Sequence, residues 1–205
     1  MLKIPENVYF ICGMHGSGKT TLCREFLKLY PEIKTIYYQK CEMTSFQDVF
    51  ERQLRRIARF GIDYYRINQL AKENPDAIIL CDRCIYDGMC YVKAFHKLKY
   101  ISQSEYQMLW NMVKSLWGTG KRDQIKSEGK CVFLFTPFAQ IRRNLAKRQK
   151  LSGPKWNEKN MHYGKVVWQE YNHFFEKQKS YILIKSKTIE ENVQRLKEII
   201  LQNKH

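Results

Sequence analysis

Residues 13 to 20 read GMHGSGKT and follow directly on the apolar run Val8-Tyr9-Phe10-Ile11-Cys12. That order puts a glycine-rich turn where a buried strand hands over to a helix, which commits the chain to an α/β architecture from its first thirty residues. Gly13, Gly16 and Gly18 let the backbone curl so that successive N–H groups converge on an anion, and the positive end of the following helix faces the same point. Lys19 can neutralise phosphate oxygens, and the hydroxyl of Thr20 can ligate Mg²⁺. The phosphate-binding set predicted here is Gly13, His15, Gly16, Ser17, Gly18, Lys19, Thr20 and Thr21, with His15 lining the loop rather than being required by it.

Beyond the loop, strand-like and helix-like segments alternate. A helix is predicted from Lys19 to about Tyr30 and a short strand over 34–38. A long helical pattern runs from Ser45 to about Lys72, with Gly61 as a candidate break. AIILC, 77–81, reads as a buried strand, and two helices are predicted within 89–117. KCVFLF, 130–135, is a strand followed by a basic helix to about Gln149. A cover over 149–160, a helix over 160–177, the strand YILI and a last helix complete the series. The expected fold is a three-layer α/β/α domain, with one mostly parallel five-stranded sheet and a short lid. With 205 residues and no linker or repeat, the whole of 1–205 is expected to form a single domain.

Composition narrows the partners. Lys plus Arg number 36 against 20 Asp plus Glu, a formal charge of +16, so polyanions are attracted at low salt. Nucleic acid and a pair of phosphorylated small molecules both satisfy that charge. No apolar run approaches the roughly 20 residues of a membrane span, so a membrane is not an expected partner. The chain leads straight into its first strand, and the expected location is the cytoplasm. Seven scattered cysteines do not form a secreted disulfide framework. Cys81 and Cys84 have a redox or half-zinc spacing, CDRC, but Cys81 also reads as the last core residue of a strand.

Asp82 and Arg83 follow the AIILC strand on the side of a parallel sheet where ligands collect. Asp82 could organise Mg²⁺ or orient an acceptor, Arg83 could hold a phosphate, and a structural salt bridge is the plain alternative. Tyr64, Tyr65 and Phe60 could line a base pocket or simply pack in the core, and Trp156 is a candidate nucleotide contact.

GMHGSGKTT, 13–21, together with DRCIYDG, 82–88, resembles the thymidylate kinase and deoxynucleoside kinase superfamily, as do TPFAQIRRNLAKR, 136–148, HYGKVVWQEY, 162–171, and IKSKTIEENV, 184–193, in that order. The resemblance implies a P-loop kinase using ATP and Mg²⁺, with Lys19, Asp82, Arg83, Arg143 and Arg148 at the reaction centre and Arg142 as a further lid candidate. Thr20 and Asp82 would serve the metal, and Glu42, Arg59 and Arg83 the acceptor. Tyr171 matches a family position used structurally or near the acceptor. A homodimer is a further implication. Two departures, QKCEM at 39–43 in place of a Glu-Pro dipeptide and Cys84 in place of the tyrosine of Asp-Arg-Tyr, fall on the acceptor side. The leading expectation is a nucleoside monophosphate kinase, most like thymidylate kinase. The alternatives are a deoxynucleoside kinase, a kinase of nucleic acid 5′-hydroxyls, and a P-loop ATPase or nucleic-acid-binding switch that is not a kinase.

Overall fold

The computed structural model describes residues 4–39, 48–117, 130–153, 157–177, 181–185 and 188–202, without the side chains of 116 and 117. Glu42 and Trp156, both singled out above, lie outside the described residues, as does the proposed helix start at 45–47.

Five strands form one sheet: β1 (Val8–Cys12), β2 (Thr35–Tyr38), β3 (Ile78–Asp82), β4 (Lys130–Phe135) and β5 (Ile182–Lys185), in the order β2-β3-β1-β4-β5. Every neighbouring pair is parallel. Side chains of successive strand residues point to opposite faces, so each central strand feeds two cores. Val8, Phe10 and Cys12 of β1, Ile79 and Cys81 of β3, and Cys131 and Phe133 of β4 enter one core. Tyr9 and Ile11, Ile78 and Leu80, and Val132 and Leu134 enter the other. The first core is covered by α2 (Val49–Glu73), α3 (Ile85–Lys97), α4 (Gln103–Trp117) and α6 (Met161–Lys177), and the second by α1 (Lys19–Leu29) and α7 (Ile189–Gln202). A remaining helix, α5 (Phe138–Ser152), follows β4. Burying each large apolar side chain stabilises by about 1.5–3 kcal/mol, which explains why the central strands are continuous apolar runs. This is the three-layer α/β/α arrangement expected.

Several boundaries differ from the sequence reading, each for a physical reason. Helix α2 runs unbroken through Gly61, because Phe60, Asp63 and Tyr64 beside it are all buried and their packing outweighs the roughly 1 kcal/mol that a helical glycine costs. Its start is fixed by Asp48, whose side chain accepts the Glu51 N–H at 2.6 Å. Helix α3 begins at Ile85 rather than near Met89, because Cys84 and Asp87 cap it reciprocally. Asp82 is the last residue of β3 rather than the first beyond it, opposite Ile11. Residues 149–152, expected in the cover, continue α5. No helix among the described residues is long and apolar enough to cross a membrane.

β1 lies between β3 and β4, so its carboxyl end is flanked by those of two parallel neighbours. Ligands in such sheets bind at this point, outside the carboxyl ends of the strands. The loop after β1 and the Asp82-Arg83 corner at the end of β3 both open there.

Candidate active site

The loop from Gly13 to Gly18 has the backbone that phosphate binding requires. Gly13, Gly16 and Gly18 have φ of 147°, 80° and 96°. A Cβ on Gly16 would lie 2.9 Å from Leu145, so α5 seats directly against the loop. The same contact is secured by Asn144, whose Nδ2 donates to the Gly16 carbonyl at 2.8 Å, while the Thr136 hydroxyl donates to the Ser17 carbonyl at 3.0 Å.

Lys19 is buried, and its ammonium donates to the carbonyls of Gly13 at 2.7 Å and Met14 at 2.9 Å. Burial, then the positive charge of Arg83, pull its pKa down to about 8 against the upward pull of Asp82 and Asp87. The ordinary value is 10.5, so the unfolded chain holds more protons between about 8 and 10.5, and stability rises with pH across that window. Activity runs the other way. If the charged ammonium is what binds phosphate, kcat/KM for the triphosphate falls as pH rises through about 8, a limb that a pH profile of the free enzyme reads directly.

Next to the lysine, the Thr20 hydroxyl donates to Asp82 Oδ2 at 2.7 Å, and the Tyr37 hydroxyl donates to the same oxygen at 3.1 Å. The two residues expected to serve Mg²⁺ are therefore in contact. The curled glycine loop, the lysine and this hydroxyl–carboxylate pair together fit a magnesium nucleoside triphosphate.

Arg83 turns the other way. Its backbone is in the left-handed region, φ 83°, fixed by its N–H donating to the Ile11 carbonyl at 3.0 Å. Its guanidinium lies 5.7 Å from the centre of the Tyr91 ring and pairs with Asp87 Oδ1 at 3.5 Å. Asp87, 1% exposed, also accepts the Gly13 N–H at 3.1 Å, the Tyr171 hydroxyl at 2.8 Å and the Cys84 N–H at 3.0 Å. It thus ties the phosphate loop to the Asp82-Arg83 corner and to α6. Sequence reasoning passed over Asp87; its signal was the Cys84-x-x-Asp87 spacing of a capping box.

Arg59, expected to serve the acceptor, and Arg56, three residues before it on α2, are placed differently. Arg59 pairs along its own helix with Asp63 at 3.3 Å. Arg56 is the arginine that reaches the site, 4.8 Å above the opposite partner of Arg83, the Tyr91 ring. His15 stacks between Tyr91 and Tyr163, and its Nδ1 shares a 2.6 Å hydrogen bond with the Tyr91 hydroxyl. Burial, then the charges of Arg83, Lys19, Arg148 and Arg56, push its imidazole well below its ordinary range, so it is neutral.

The lid candidates separate. Arg148 is partly exposed and paired with Glu158, whereas Arg142 and Arg143 lie on the exposed side of α5. Tyr171 is buried against Asp87. Phe60 and Tyr64 belong to the core, Tyr64 stacking on Phe10 at 5.0 Å, while Tyr65 is exposed. The CDRC pair does not act as a unit: Cys81 packs within β3, and the Cys84 sulfur meets Cys12 instead.

No model of a known protein family matches the chain, and no curated protein matches it. Solved structures do. Deoxyadenosine kinase from M. mycoides, with the products dCMP and dCDP bound, superposes with a TM-score of 0.68 at 13% identity, over 95% of this chain and 99% of that one. The same enzyme with dATP bound gives 0.63 at 14% identity, over 94% and 98%. Thymidylate kinase from Candida albicans gives 0.63 at 18% identity, over 97% and 92%. The chain therefore shares the fold of these two enzymes over nearly its whole length.

Proposed function

We propose that the chain is an ATP-dependent phosphotransferase of the deoxynucleoside kinase type, transferring a phosphoryl group to the 5′-hydroxyl of a deoxynucleoside. The observation that carries this reading is the division of labour at one corner. Asp82 faces the Thr20 hydroxyl on the donor side, and the next residue, Arg83, faces Tyr91 and Asp87 on the other. The near-complete overlap with a deoxyadenosine kinase supports a deoxynucleoside acceptor ahead of the monophosphate expected from the sequence.

Gly13, His15, Gly16, Ser17, Gly18, Thr20 and Thr21 would hold the phosphates of ATP, with Lys19 supplying charge and Thr20 and Asp82 serving Mg²⁺. When bound, the metal spreads the charge that develops on the phosphates. Arg83 would hold the reacting end of the acceptor, and Arg143 or Arg148 would cover the transferring group and exclude water. A hydroxyl acceptor must lose a proton, and Asp82 and Glu42 are the carboxylates proposed to accept it.

Transfer to a nucleoside monophosphate is the second reading, favoured by Arg56 and Arg83 both lying over one ring, where two cations suit a dianionic acceptor. A panel of deoxynucleosides, nucleoside monophosphates and 5′-hydroxyl oligonucleotides, assayed with Mg²⁺ and ATP, separates the readings. Phosphorylated deoxynucleoside supports the first. Preference for monophosphates establishes the second, and then Arg56→Ala raises the acceptor KM by about 10- to 100-fold while leaving the KM for ATP near its original value. Transfer to oligonucleotides alone, or hydrolysis that no acceptor stimulates, overturns both and gives the +16 charge a nucleic acid partner.

A further inference from the structure

Buried thiols ordinarily pack as small apolar groups. Three in this protein do something else, because their sulfur atoms converge from three separate elements. Cys12 ends β1 directly before the phosphate loop, Cys84 caps α3 directly after Arg83, and Cys131 is the second residue of β4. The Cys12 sulfur lies 3.1 Å from that of Cys84 and 3.1 Å from that of Cys131, and all three lie within 4.8 Å of one another. None is more than 2% exposed. The other described cysteines, at 23, 81 and 90, stand outside the group.

We infer that Cys12, Cys84 and Cys131 form a site for one soft monovalent metal ion, Cu(I), held by three sulfur ligands. The donor set selects the class of ion, since sulfur alone favours soft metals over Mg²⁺ or Ca²⁺. The number of donors selects among soft metals. Structural Zn²⁺ takes four ligands in a tetrahedron, and no fourth His, Cys, Asp or Glu joins the three among the described residues. Three sulfurs suit the trigonal coordination open to Cu(I). With metal–sulfur bonds of about 2.3 Å, the sulfurs of a planar trigonal site stand about 4 Å apart, so the two 3.1 Å contacts of Cys12 must open as the ion enters.

Burial, joined by the Asp87 carboxylate at Cys131, holds the Cys12 and Cys131 thiols well above their ordinary range, so the ion itself must drive off their protons. The site lies at the N-terminus of α3, where the Tyr86 N–H donates to the Cys84 sulfur at 3.4 Å and the helix dipole favours negative charge. The ligating thiols release their protons to solvent as the ion binds. Exclusion of water protects the monovalent state, and burial implies that the ion enters during folding or a local opening. Once bound, it would tie the strand before the phosphate loop to the segment that follows Asp82 and Arg83.

The test uses the full chain, reduced and handled without oxygen, titrated with Cu(I) against a chromophoric Cu(I) chelator. One equivalent is expected to bind, with a copper-edge X-ray absorption spectrum giving three sulfur neighbours at about 2.3 Å and a raised melting temperature. Cys84→Ser and Cys131→Ser should each weaken binding by more than about 100-fold, taking the loss of a ligand to cost at least as much as the loss of its supporting shell, while Cys90→Ser leaves it unchanged. If the serine variants do not fold, the absorption spectrum of the wild type decides alone. Failure to bind one equivalent, a two-sulfur or nitrogen–oxygen shell, equal loss in Cys90→Ser, or a four-coordinate Zn²⁺ complex that outcompetes copper overturns the assignment. None of these measurements depends on phosphoryl transfer.

Discussion

Replacing Lys19 with alanine is expected to lower phosphoryl transfer by on the order of 10³-fold, the loss seen when one fixed charge-stabilising donor is removed from a reaction centre. The ammonium is held by the carbonyls of Gly13 and Met14, inside the loop that would cradle the phosphates. No second lysine occupies that loop, so nothing in the sequence of the cradle replaces its charge. Product formation is the measurement, with circular dichroism and thermal melting to establish that the variant is folded. Retention of activity within tenfold would mean that the loop does not bind the donor.

Asp87→Ala should produce the largest change in stability, a loss of about 3–5 kcal/mol in urea unfolding. The carboxylate accepts two backbone N–H groups and the Tyr171 hydroxyl and pairs with Arg83, so its removal strands four partners in a site from which water is largely excluded. A loss below about 1 kcal/mol, well under the cost of breaking a buried ion pair, would show that the loop and the corner are held by other contacts. The variant should also weaken triphosphate binding, because the Gly13 N–H loses the acceptor that fixes the start of the loop.

The geometry of the glycine loop was legible because it is local. Glycine spacing, the lysine and the threonine all fall within eight residues, and each has a physical reason for its position. Asp82 and Arg83 were legible from their place after a buried strand. Asp87 was hidden by a boundary error: with the helix assumed to begin near Met89, residues 85–88 read as loop, and a carboxylate in a loop reads as solvated. The choice between Arg56 and Arg59 needed the helix's orientation. Asp63 four residues after Arg59 already offered an ion-pair partner on the same helix face, which leaves Arg56 for the site. The three-cysteine cluster depends on β3 and β4 flanking β1 and on where α3 starts, and strand order is a long-range property that no local pattern encodes.

The left-handed backbone at Arg83 has a consequence for how the two halves of the site stay in register. Adjacent Cα atoms are separated by 3.8 Å whatever the rest of a protein does. Since Asp82 contacts Thr20 while Arg83 contacts Asp87 and Tyr91, the spacing between the two residues is set by a single peptide unit rather than by packing between helices. The corner therefore acts as a fixed gauge. Whatever position α5 takes against the loop, the offset between the backbone origins of these two side chains is preserved.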